Sequence, residues 1–551
     1  MKKTLENNNS NLGSVKTITE DAAYQSDPLN VYRLLCNDKD HNILLESAEV
    51  DKKHLLKSLL LTNAAVKIVC NGDTVTFSPL SQNGIAAVAF AAQQLSAVAE
   101  LSFKKSQHEN FSAQVLIAKF PMVANELDEK SRLMAINPFE SLRLYNRLKN
   151  QTNHPFAVFL GGVFSFDMIA VSEQLPQVED GANTCPDFVY YLAETLVIID
   201  HERQSTEIIA NVFDGEHQTS ADEKIKQRVT QFKTLLSEDI TKKSANAVDN
   251  HLVQINESSS DSSLAITTDK SDEEFCNIVN NLKENIRAGD IFQVVPSRTF
   301  SLPCLDSKLA YQELKISNPS PYMFYLKDSE FCIFGASPES AIKYQQHNRQ
   351  VEIYPIAGTR PRGLKSDGSI CLDLDSRIEL ELRLDKKELA EHIMLVDLAR
   401  NDIARVSQAG TRHVPDLLKV DRYSHVMHLV SRVCGTLSLE LDALHAYQAC
   451  MNMGTLSGAP KIKATELIRQ VEGTRRGSYG GAVGYITGMG EMDTCIIIRS
   501  AFVKDDIAQI QAGAGVVYDS DPQAEANETR QKAQAVLNAI VLANDKTQGR
   551  G

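Results

Sequence analysis

The sequence has no tryptophan and no excess of positive charge. Its 551 residues include 57 Lys and Arg against 71 Asp and Glu, which gives a formal net charge of −14. General binding to nucleic acid or to acidic lipid depends on a positive overall field, and this chain lacks one. We therefore expect no nucleic-acid partner and no membrane partner.

Long hydrophobic runs are missing too. The most apolar stretch, residues 156–171, is interrupted by Ser165 and Asp167, whereas a membrane-spanning helix needs about 18 or more apolar residues. The N-terminal MKKTLENNNS has two lysines but no apolar segment after them, which argues against an export signal. The ten cysteines are scattered without a C-x-x-C pair, as in proteins of a reducing compartment. The expected location is the cytoplasm.

The composition is otherwise that of a folded protein, with 43% hydrophobic and 23% charged residues. Residues 239–270 are poor in hydrophobic residues and rich in Ser, Asp, Asn and Lys, which predicts a polar connection. This connection would separate an N-terminal domain over residues 24–238 from a C-terminal domain over residues 271–544. A long surface loop within a single domain is the alternative interpretation.

The periodicity of apolar residues predicts both strands and helices. Segments rich in β-branched residues predict strands at 351–356, 494–503 and 507–511. Helical spacing of apolar residues predicts a helix over 385–405, and Asp521-Pro522 predicts the start of another over 523–543. The two kinds of element come in uneven groups rather than in alternation. This pattern favours an α+β fold with large antiparallel sheets over a doubly wound parallel sheet.

Two pairs of glutamates stand out on the predicted helices. Glu388 and Glu391 are three residues apart, and Glu525 and Glu528 repeat that spacing, so each pair projects from one side of its helix. One such pair is usually part of a solvated helix face. Two pairs on helices far apart in the sequence raise the alternative that both helices face one cavity and share a divalent cation. All-oxygen ligands of this kind suit Mg²⁺.

Two glycine-rich segments resemble nucleotide-binding loops only in part. In residues 454–461 (GTLSGAPK), Ala-Pro separates the glycine from the lysine, which a phosphate-binding loop does not allow. Residues 513–518 lack the third glycine of a dinucleotide-binding turn. We predict neither kind of loop, although the backbone N–H groups of such turns can still meet an anion.

Six segments in order strongly resemble motifs of the chorismate-utilising enzymes. They are residues 291–297 (IFQVVPS), 334–340 (FGASPES), 355–360 (PIAGTR), 391–402 (EHIMLVDLARND), 454–461 (GTLSGAPK) and 511–515 (QAGAG). Their order and the intervening sequence, over nearly the whole chain, resemble the component I branch of the anthranilate synthases. The resemblance implies two large antiparallel sheets packed face to face, with helices outside and the active site in the C-terminal domain.

The resemblance implies a lyase that acts on chorismate, a ring with two carboxylates, a hydroxyl and an enolpyruvyl ether. Ammonia adds to ring carbon C2, the C4 hydroxyl leaves, and loss of pyruvate gives anthranilate, the first committed step of tryptophan biosynthesis. The chain shows no cysteine nucleophile in a matching glycine-rich turn, so ammonia would come from glutamine through a separate glutamine amidotransferase subunit, or would be used as free ammonia. Two large and two small subunits would form a heterotetramer.

The resemblance also implies a role for each site residue. Glu391 and Glu528 would bind Mg²⁺ directly, with Glu388 and Glu525 as outer or water-mediated partners. The catalytic residues would be Glu339, the general acid for the departing hydroxyl, His392, which assists the loss of pyruvate, and Thr359 and Lys532. The residues that would bind the substrate are Gly358, Thr359, Thr455, Tyr479, Arg499, Gly513, Ala514 and Gly515.

Regulation is implied by two further segments. Residues 44–47 (LLES) and 318–323 (NPSPYM) resemble the tryptophan pocket of feedback-inhibited members of the family. The residues that would contact the inhibitor are Ser47, Pro321, Tyr322 and Met323. The pocket would lie where the N-terminal and C-terminal parts meet, so that bound tryptophan could bias their packing.

Two positions bear on the identity of the product. In the water-using isochorismate synthases a lysine base occupies the place of Gln293, and in the aminodeoxychorismate branch a lysine nucleophile occupies the place of Ala357. Both residues therefore favour anthranilate. The alternatives are an aminodeoxychorismate synthase, an isochorismate synthase, or an inactive tryptophan-binding regulator, and the intact set of predicted catalytic residues speaks against the last.

Overall fold

The structure is a computed structural model that describes residues 12–36, 39–47, 57–108, 111–123, 126–215, 218–240, 266–365, 369–423 and 426–549. Most of the connection predicted at 239–270 lies outside these residues, so the division into two domains stays a prediction. Within the described ranges, no helix is long and apolar enough to cross a membrane.

The helices are numbered in chain order. They are α1 Pro28–Cys36, α2 Gln82–Leu95, α3 Glu129–Leu133, α4 Glu140–Arg143, α5 Gln218–Leu235, α6 Asp272–Ala288, α7 Ser307–Ser317, α8 Leu372–Leu384, α9 Lys386–Val406, α10 Ala443–Cys450, α11 Lys461–Glu472 and α12 Pro522–Gln548. The side chains of Asp385 and Asp521 cap α9 and α12 by accepting hydrogen bonds from first-turn amides. Both predicted helices are confirmed.

The strands are likewise numbered in chain order. They are β1 Ser14–Ala22, β2 Asn42–Glu46, β3 Lys57–Asn71, β4 Thr74–Pro79, β5 Glu100–His108, β6 Phe111–Lys119, β7 Lys149–Asn150, β8 Phe159–Phe164, β9 Phe188–Asp200, β10 Ser205–Phe213, β11 Thr267–Thr268, β12 Gln293–Val294, β13 Ser297–Pro303, β14 Tyr322–Lys327, β15 Cys332–Ser337, β16 Ser340–Gln345, β17 Gln350–Ile353, β18 Ile356–Pro361, β19 His413–Arg422, β20 Val426–Thr436, β21 Gly458–Ala459, β22 Ala482–Thr487, β23 Met492–Ile496, β24 Ser500–Lys504 and β25 Ile507–Gly513.

Two sheets share the long strands β3 and β9, whose mutual register shifts near their middle. The first sheet has the order β7-β1-β10-β9-β3-β2-β14-β15-β24-β25-β13-β11. The second has the order β5-β6-β4-β3-β9-β8-β22-β23-β16-β17-β20, with β18 and β19 also paired to β20. All of these pairings are antiparallel except the short β1–β7 pair.

The two sheets pack face to face. One buried cluster joins apolar residues of the first sheet, such as Ile43 and Ile333, to residues of the second, such as Phe159 and Val483. Because side chains alternate along a strand, the opposite faces bury other residues against helices. Helices α1, α5, α7 and α12 cover the first sheet, and α2, α9 and α10 cover the second. The predicted α+β fold with face-to-face sheets is therefore confirmed.

Two of the predicted strands are each split in the structure. The segment 494–503 forms β23 and β24, because the chain leaves the second sheet after Ile496 and enters the first at Ser500. Arg499 lies in this crossing with φ of 50°, outside strand geometry. The segment 351–356 is interrupted before Ile356 by Pro355, which has no N–H to donate to a neighbouring strand. The strand predicted at 507–511 is confirmed within β25.

Candidate active site

The chain crosses between the two sheets at two adjacent places, and each crossing carries a predicted site residue. Glu339 lies between β15 of the first sheet and β16 of the second, and Arg499 lies between β24 and β23. The Ile496 amide donates to the Glu339 carbonyl at 3.0 Å, and the Ala336 amide donates to the Arg499 carbonyl at 3.1 Å. Backbone hydrogen bonds thus fix the main chain at residues 339 and 499, and the region around these two crossings is called the cleft.

The side chain of Glu339 is only 6% exposed. Burial raises the pKa of its carboxyl to about 8, although the Thr455 hydroxyl and the charge of Lys532 oppose the rise. The Thr455 hydroxyl donates to Glu339 Oε1 at 3.1 Å. A carboxyl with this pKa keeps its proton at neutral pH and can donate it to a leaving group.

Helices α9 and α12 bring the four predicted glutamates to the same cleft. Burial raises the pKa of Glu391, and the negative charges of Glu388 and Glu528 raise it further. Burial also raises the pKa of Glu525, with a smaller contribution from Glu528. Carboxylates repel each other in this way only when they are close. The two pairs therefore belong to one acidic site.

The surroundings of these carboxylates fit a small, oxygen-liganded cation. A Cβ built on Gly515 would lie 3.3 Å from Glu391 Oε1, and one built on Gly358 would lie 3.1 Å from Glu388 Oε2, so glycines leave the space beside both groups open. No group of three or more acidic, His or Cys side chains in the described part of the chain is gathered tightly enough to hold a metal. Mg²⁺ typically needs only one or two carboxylates and keeps several waters, so the donor set suits it.

Lys532 connects the acidic site to the glycine-rich turn at the end of β25. Its ammonium pairs with Glu528 Oε1 at 2.6 Å and donates to the Gly513 carbonyl at 3.0 Å. The same positive charge lowers the pKa of Glu339, Glu391 and Glu525 against the effect of burial. Lys532 thus lies within electrostatic reach of both the acid and the glutamates.

Thr359 leads to a residue that the sequence analysis missed. In the β18–β20 pair Thr359 lies opposite His428, and its hydroxyl is 3.0 Å from His428 Nδ1. Burial, together with the charge of Arg499, lowers the pKa of His428 to about 4. His428 is therefore a neutral imidazole beside the predicted substrate-binding residues. A lone histidine in the apolar segment 426–430 (VMHLV) was the available signal.

His392, on helix α9, packs against the other face of β20. Met427 and Leu429 of that strand pack with Leu382 of α8, and Ser431, two residues further on, is 2.6 Å from His392 Nε2. His392 is fully buried and burial lowers its pKa to about 4. Its Nδ1 has no hydrogen-bond partner among the described residues. The structure thus places two neutral histidines near the cleft, on opposite faces of one strand.

Arg499 and Tyr479 lie together as the sequence predicts. Burial lowers the pKa of Arg499, which Tyr479 and Glu528 partly offset. Its Nη1 donates to the Lys532 carbonyl at 2.8 Å. Burial raises the pKa of Tyr479 to about 12, and a Cβ on Gly513 would lie 3.1 Å from the Tyr479 hydroxyl. A guanidinium and a phenol that converge beside a glycine turn can bind a carboxylate.

The two glycine-rich turns differ from nucleotide loops in structure as in sequence. Lys461 is buried at the start of α11, where its ammonium donates to Asp402 Oδ2 and to the Cys450 carbonyl, each at 2.7 Å. The Lys461 ammonium is therefore bonded to groups of the protein interior and does not serve as a phosphate-binding lysine. The Ala514 amide donates to the Pro296 carbonyl at 3.2 Å, which fixes the turn that contains Gly513 and Gly515.

Gln293 and Ala357, the two positions that bear on the product, also lie at the cleft. The Gln293 amide nitrogen donates to Glu391 Oε1 at 3.2 Å, and its carbonyl oxygen is buried without a partner in the described part of the chain. Ala357 lies in β18 opposite Leu429, beside the β-bulge at Gly358. Neither of these two positions carries an amine.

The residues of the predicted inhibitor pocket come together at the junction of β2 and β14. The Ser47 hydroxyl donates to the Pro321 carbonyl at 3.0 Å. The Tyr322 hydroxyl donates to Asp493 Oδ1 at 3.3 Å, and Met323 lies opposite Glu46 in the strand pair. Strand pairing thus places two segments that are far apart in the sequence side by side.

Comparisons with known proteins bear on the whole chain. The family of chorismate binding enzymes matches residues 100–538. Anthranilate synthase component 1 of Vibrio cholerae is 54% identical over 534 residues, which cover 96% of this chain and 97% of that protein. The protein of the same name from Escherichia coli K12 is 52% identical over 532 residues, which cover 96% and 98% of the two chains.

A solved structure extends the likeness to three dimensions. Anthranilate synthase component I from Streptococcus pneumoniae superposes with a TM-score of 0.62 at 26% identity, and the match covers 93% of this chain and 97% of the other. The motifs in the sequence, the shared fold and the near full-length identity agree. This chain belongs to the chorismate-binding enzymes and, within them, to the anthranilate synthase component 1 family.

Proposed function

We propose that this chain converts chorismate and ammonia to anthranilate and pyruvate, the first committed step of tryptophan biosynthesis. Relatives at 52% and 54% identity over nearly the full length bear the name anthranilate synthase component 1. The observation that carries this proposal over its rivals is the amide of Gln293 bonded to Glu391, together with alanine at position 357. An isochorismate synthase or an aminodeoxychorismate synthase would need a lysine at one of these two positions.

Glu339 is the general acid in this proposal. Its carboxyl, with a pKa of about 8, is protonated at neutral pH and gives its proton to the C4 hydroxyl as that group leaves as water. The Thr455 hydroxyl donates to Oε1 of Glu339 and orients the carboxyl. Deep burial keeps the acid from losing its proton to bulk water before the substrate binds.

His428 is the better candidate for the base that assists the loss of pyruvate. Its pKa of about 4 leaves the imidazole unprotonated and able to accept the ring proton. The Thr359 hydroxyl holds Nδ1, and Arg499 lies close enough to lower the pKa. His392, which the resemblance implies for this step, packs against the other face of β20 with its Nε2 2.6 Å from the Ser431 hydroxyl, and it is the alternative candidate.

The anionic substrate would be held by positive charge and by backbone turns. Arg499 and the Tyr479 hydroxyl suit the enolpyruvyl carboxylate, because the guanidinium offers further donors beyond the one used by the Lys532 carbonyl. The turn at Gly513, Ala514 and Gly515 has no bulky side chain between the backbone and that space. These contacts bind and orient the substrate without taking part in bond breaking.

Mg²⁺ would be held by Glu391 and Glu528, with Glu388 and Glu525 as outer or water-mediated partners. When bound, the ion neutralises a substrate carboxylate and acts as a Lewis acid. Arg499 lies close enough to Glu528 for that carboxylate to affect its pKa. The ion and the guanidinium would therefore offer two different groups to the two carboxylates of one substrate.

The ammonia would come from a separate glutamine amidotransferase subunit, component II, in a heterotetramer of two large and two small subunits. The label component 1 in the names of the relatives supports a second component. Within this chain, burial raises the pKa of Cys434, the nearest cysteine candidate, to about 11. A thiol with that pKa is a poor nucleophile at neutral pH.

Tryptophan would inhibit the enzyme at Ser47, Pro321, Tyr322 and Met323. The Ser47–Pro321 hydrogen bond shows that the two predicted segments are neighbours, which supports a shared pocket. Strand β14 pairs with β15, whose last residue, Ser337, contacts Glu339 through its hydroxyl. A ligand that alters this strand pair can therefore alter the position of the acid.

The product test uses the purified chain with chorismate, Mg²⁺ and ammonium. We expect fluorescent anthranilate and an equal amount of pyruvate, with no change in the intact mass of the protein after quenching. Chromatography identifies the product and a coupled assay measures the pyruvate. Isochorismate or 4-amino-4-deoxychorismate as the main product, or a ring adduct on the protein, would contradict the proposal.

The metal assignment is tested with Glu391→Gln and Glu528→Gln, which keep the shape of the side chain and remove its charge. We expect each variant to lose at least about a hundredfold in turnover, while the unfolding temperature stays close to that of the unsubstituted chain. Glu381→Gln, at an exposed position of α8, is the control and should be fully active. Near-normal turnover of both site variants at limiting Mg²⁺ would show that the assignment is wrong.

The two histidines are distinguished by His428→Gln and His392→Gln. We expect His428→Gln to slow pyruvate release by about 10²-fold or more and to accumulate the aminated, pyruvyl-bearing intermediate, because general-base catalysis is lost. His392→Gln should lower the unfolding temperature and leave pyruvate release much less affected. The reverse pattern would assign the base to His392.

The inhibitor pocket is tested with Ser47→Ala. We expect unchanged turnover and an inhibition constant for tryptophan that rises up to about a hundredfold, because one buried hydrogen bond is lost. Ser301→Ala, which removes a hydroxyl bonded to Gln509 in the first sheet, is the control and should keep normal inhibition. Lost turnover combined with normal inhibition in Ser47→Ala would count against this placement.

A further inference from the structure

Arg476 and Glu472 form an ion pair that no step of the proposed mechanism uses. Their exposed fractions are 2% and 8%, and Arg476 Nη2 lies 2.6 Å from Glu472 Oε1. Arg476 Nε also donates to Glu472 Oε2 at 2.8 Å, so the contact is bidentate. Removal of two charges from water costs free energy that must be offset by other bonds.

The remaining donors of Arg476 go to main-chain carbonyls. Nη1 donates to the Leu456 carbonyl at 2.8 Å, and Nη2 donates to the Val295 carbonyl at 2.6 Å. On the other side of the pair, Glu472 Oε1 accepts from the Ser297 amide at 2.8 Å and from the Ser297 hydroxyl at 2.7 Å. The pair thus ties α11 to two separate backbone segments.

Each of these segments carries a residue of the cleft. Leu456 follows Thr455, which orients the acid, and Val295 is two residues after Gln293. Ser297 lies opposite Gly513 in the β13–β25 pair.

Two aromatic rings flank the same guanidinium. The ring centre of Tyr479 is 5.5 Å from the guanidinium carbon of Arg476, and that of Phe166 is 4.5 Å away on another side. The Tyr479 contact brings a fourth segment of the cleft against the ion pair.

We propose that Arg476 and Glu472 are a positioning pair for substrate binding, which holds the segments of Gln293, Thr455, Tyr479 and Gly513 in register without touching the substrate. This inference rests on the proposed function. A planar guanidinium can serve two carbonyls and both oxygens of one carboxylate at fixed angles, which a lysine ammonium cannot do. The pair therefore adds side-chain bonds between segments whose main chains also bond directly, since the Val295 amide donates to the Ser457 carbonyl at 3.0 Å and the Ala514 amide donates to the Pro296 carbonyl at 3.2 Å.

The experiment compares Glu472→Gln and Arg476→Lys with the unsubstituted chain, with ammonium as the nitrogen source. We expect the KM for chorismate to rise about tenfold and kcat to change much less, because the loops hold the substrate in the ground state and the transition state alike. The measurements are kcat, KM and the unfolding temperature. A purely structural role would lower the unfolding temperature without changing KM.

Glu194→Gln is the matched control. Glu194 is 3% exposed, pairs with Arg228, and accepts hydrogen bonds from Ser81 and Asn83, so it has the same chemistry far from the cleft. We expect it to lower the unfolding temperature and to leave the KM for chorismate unchanged. An equal rise of KM in Glu194→Gln would show that any lost buried carboxylate has this effect and would overturn the inference.

A third variant covers the case in which a single substitution prevents folding. The double variant Arg476→Met with Glu472→Met removes both charges, which avoids an unpaired buried ion. A folded double variant with a raised KM supports the positioning role, and one with a normal KM overturns it.

If the unsubstituted chain makes no anthranilate, the proposed function fails and this inference fails with it. If that chain is active and Glu472→Gln has a normal KM, only the positioning role fails.

Discussion

The crossings of the chain between the two sheets are the constraint on which the cleft depends. Strands β3 and β9 each belong to both sheets, so the two sheets are joined by this strand pair. Near Glu339 and Arg499 the chain also passes between sheets, but there it breaks strand geometry. A residue at such a break is held by strands on both sides. Its side chain does not have to follow the alternation between the two faces of a sheet. The acid and the arginine gain fixed positions in this way.

Burial then decides the protonation of the groups at the cleft. The same desolvation raises the pKa of Glu339 to about 8 and lowers the pKa of His428 to about 4, so both groups are neutral near pH 7. One can therefore donate a proton and the other can accept one without any change of pH. A single physical effect thus leaves one protonated carboxyl and one unprotonated imidazole, from groups that would be charged or partly charged in water.

The predicted inhibitor pocket and the cleft belong to the same sheet. β2 pairs with β14, β14 with β15, and β15 leads directly into the crossing at Glu339. Hydrogen-bonded strands move together more readily than they separate, because each ladder bond lost in the interior leaves unpaired backbone groups. The distance between the two sites is therefore spanned by strand pairing and not by loops.

The sequence by itself determined the fold class, the two helices that carry the glutamates and most of the residues that meet at the cleft. It did so because apolar periodicity, caps and long motifs are local properties of the chain.

Tertiary structure alone decided that residues 494–503 are two strands, since the break follows from pairing with two different sheets. It also decided that His428 lies beside Thr359 and that His392 packs beside Ser431. The neighbouring strand and helix α9 determine which side chains meet on each face of β20. The four-residue spacing of Glu472 and Arg476 permits an ion pair, but the carbonyls that Arg476 binds could not be predicted from the sequence. Every residue has a carbonyl, and only folding selects which two lie within reach of the guanidinium.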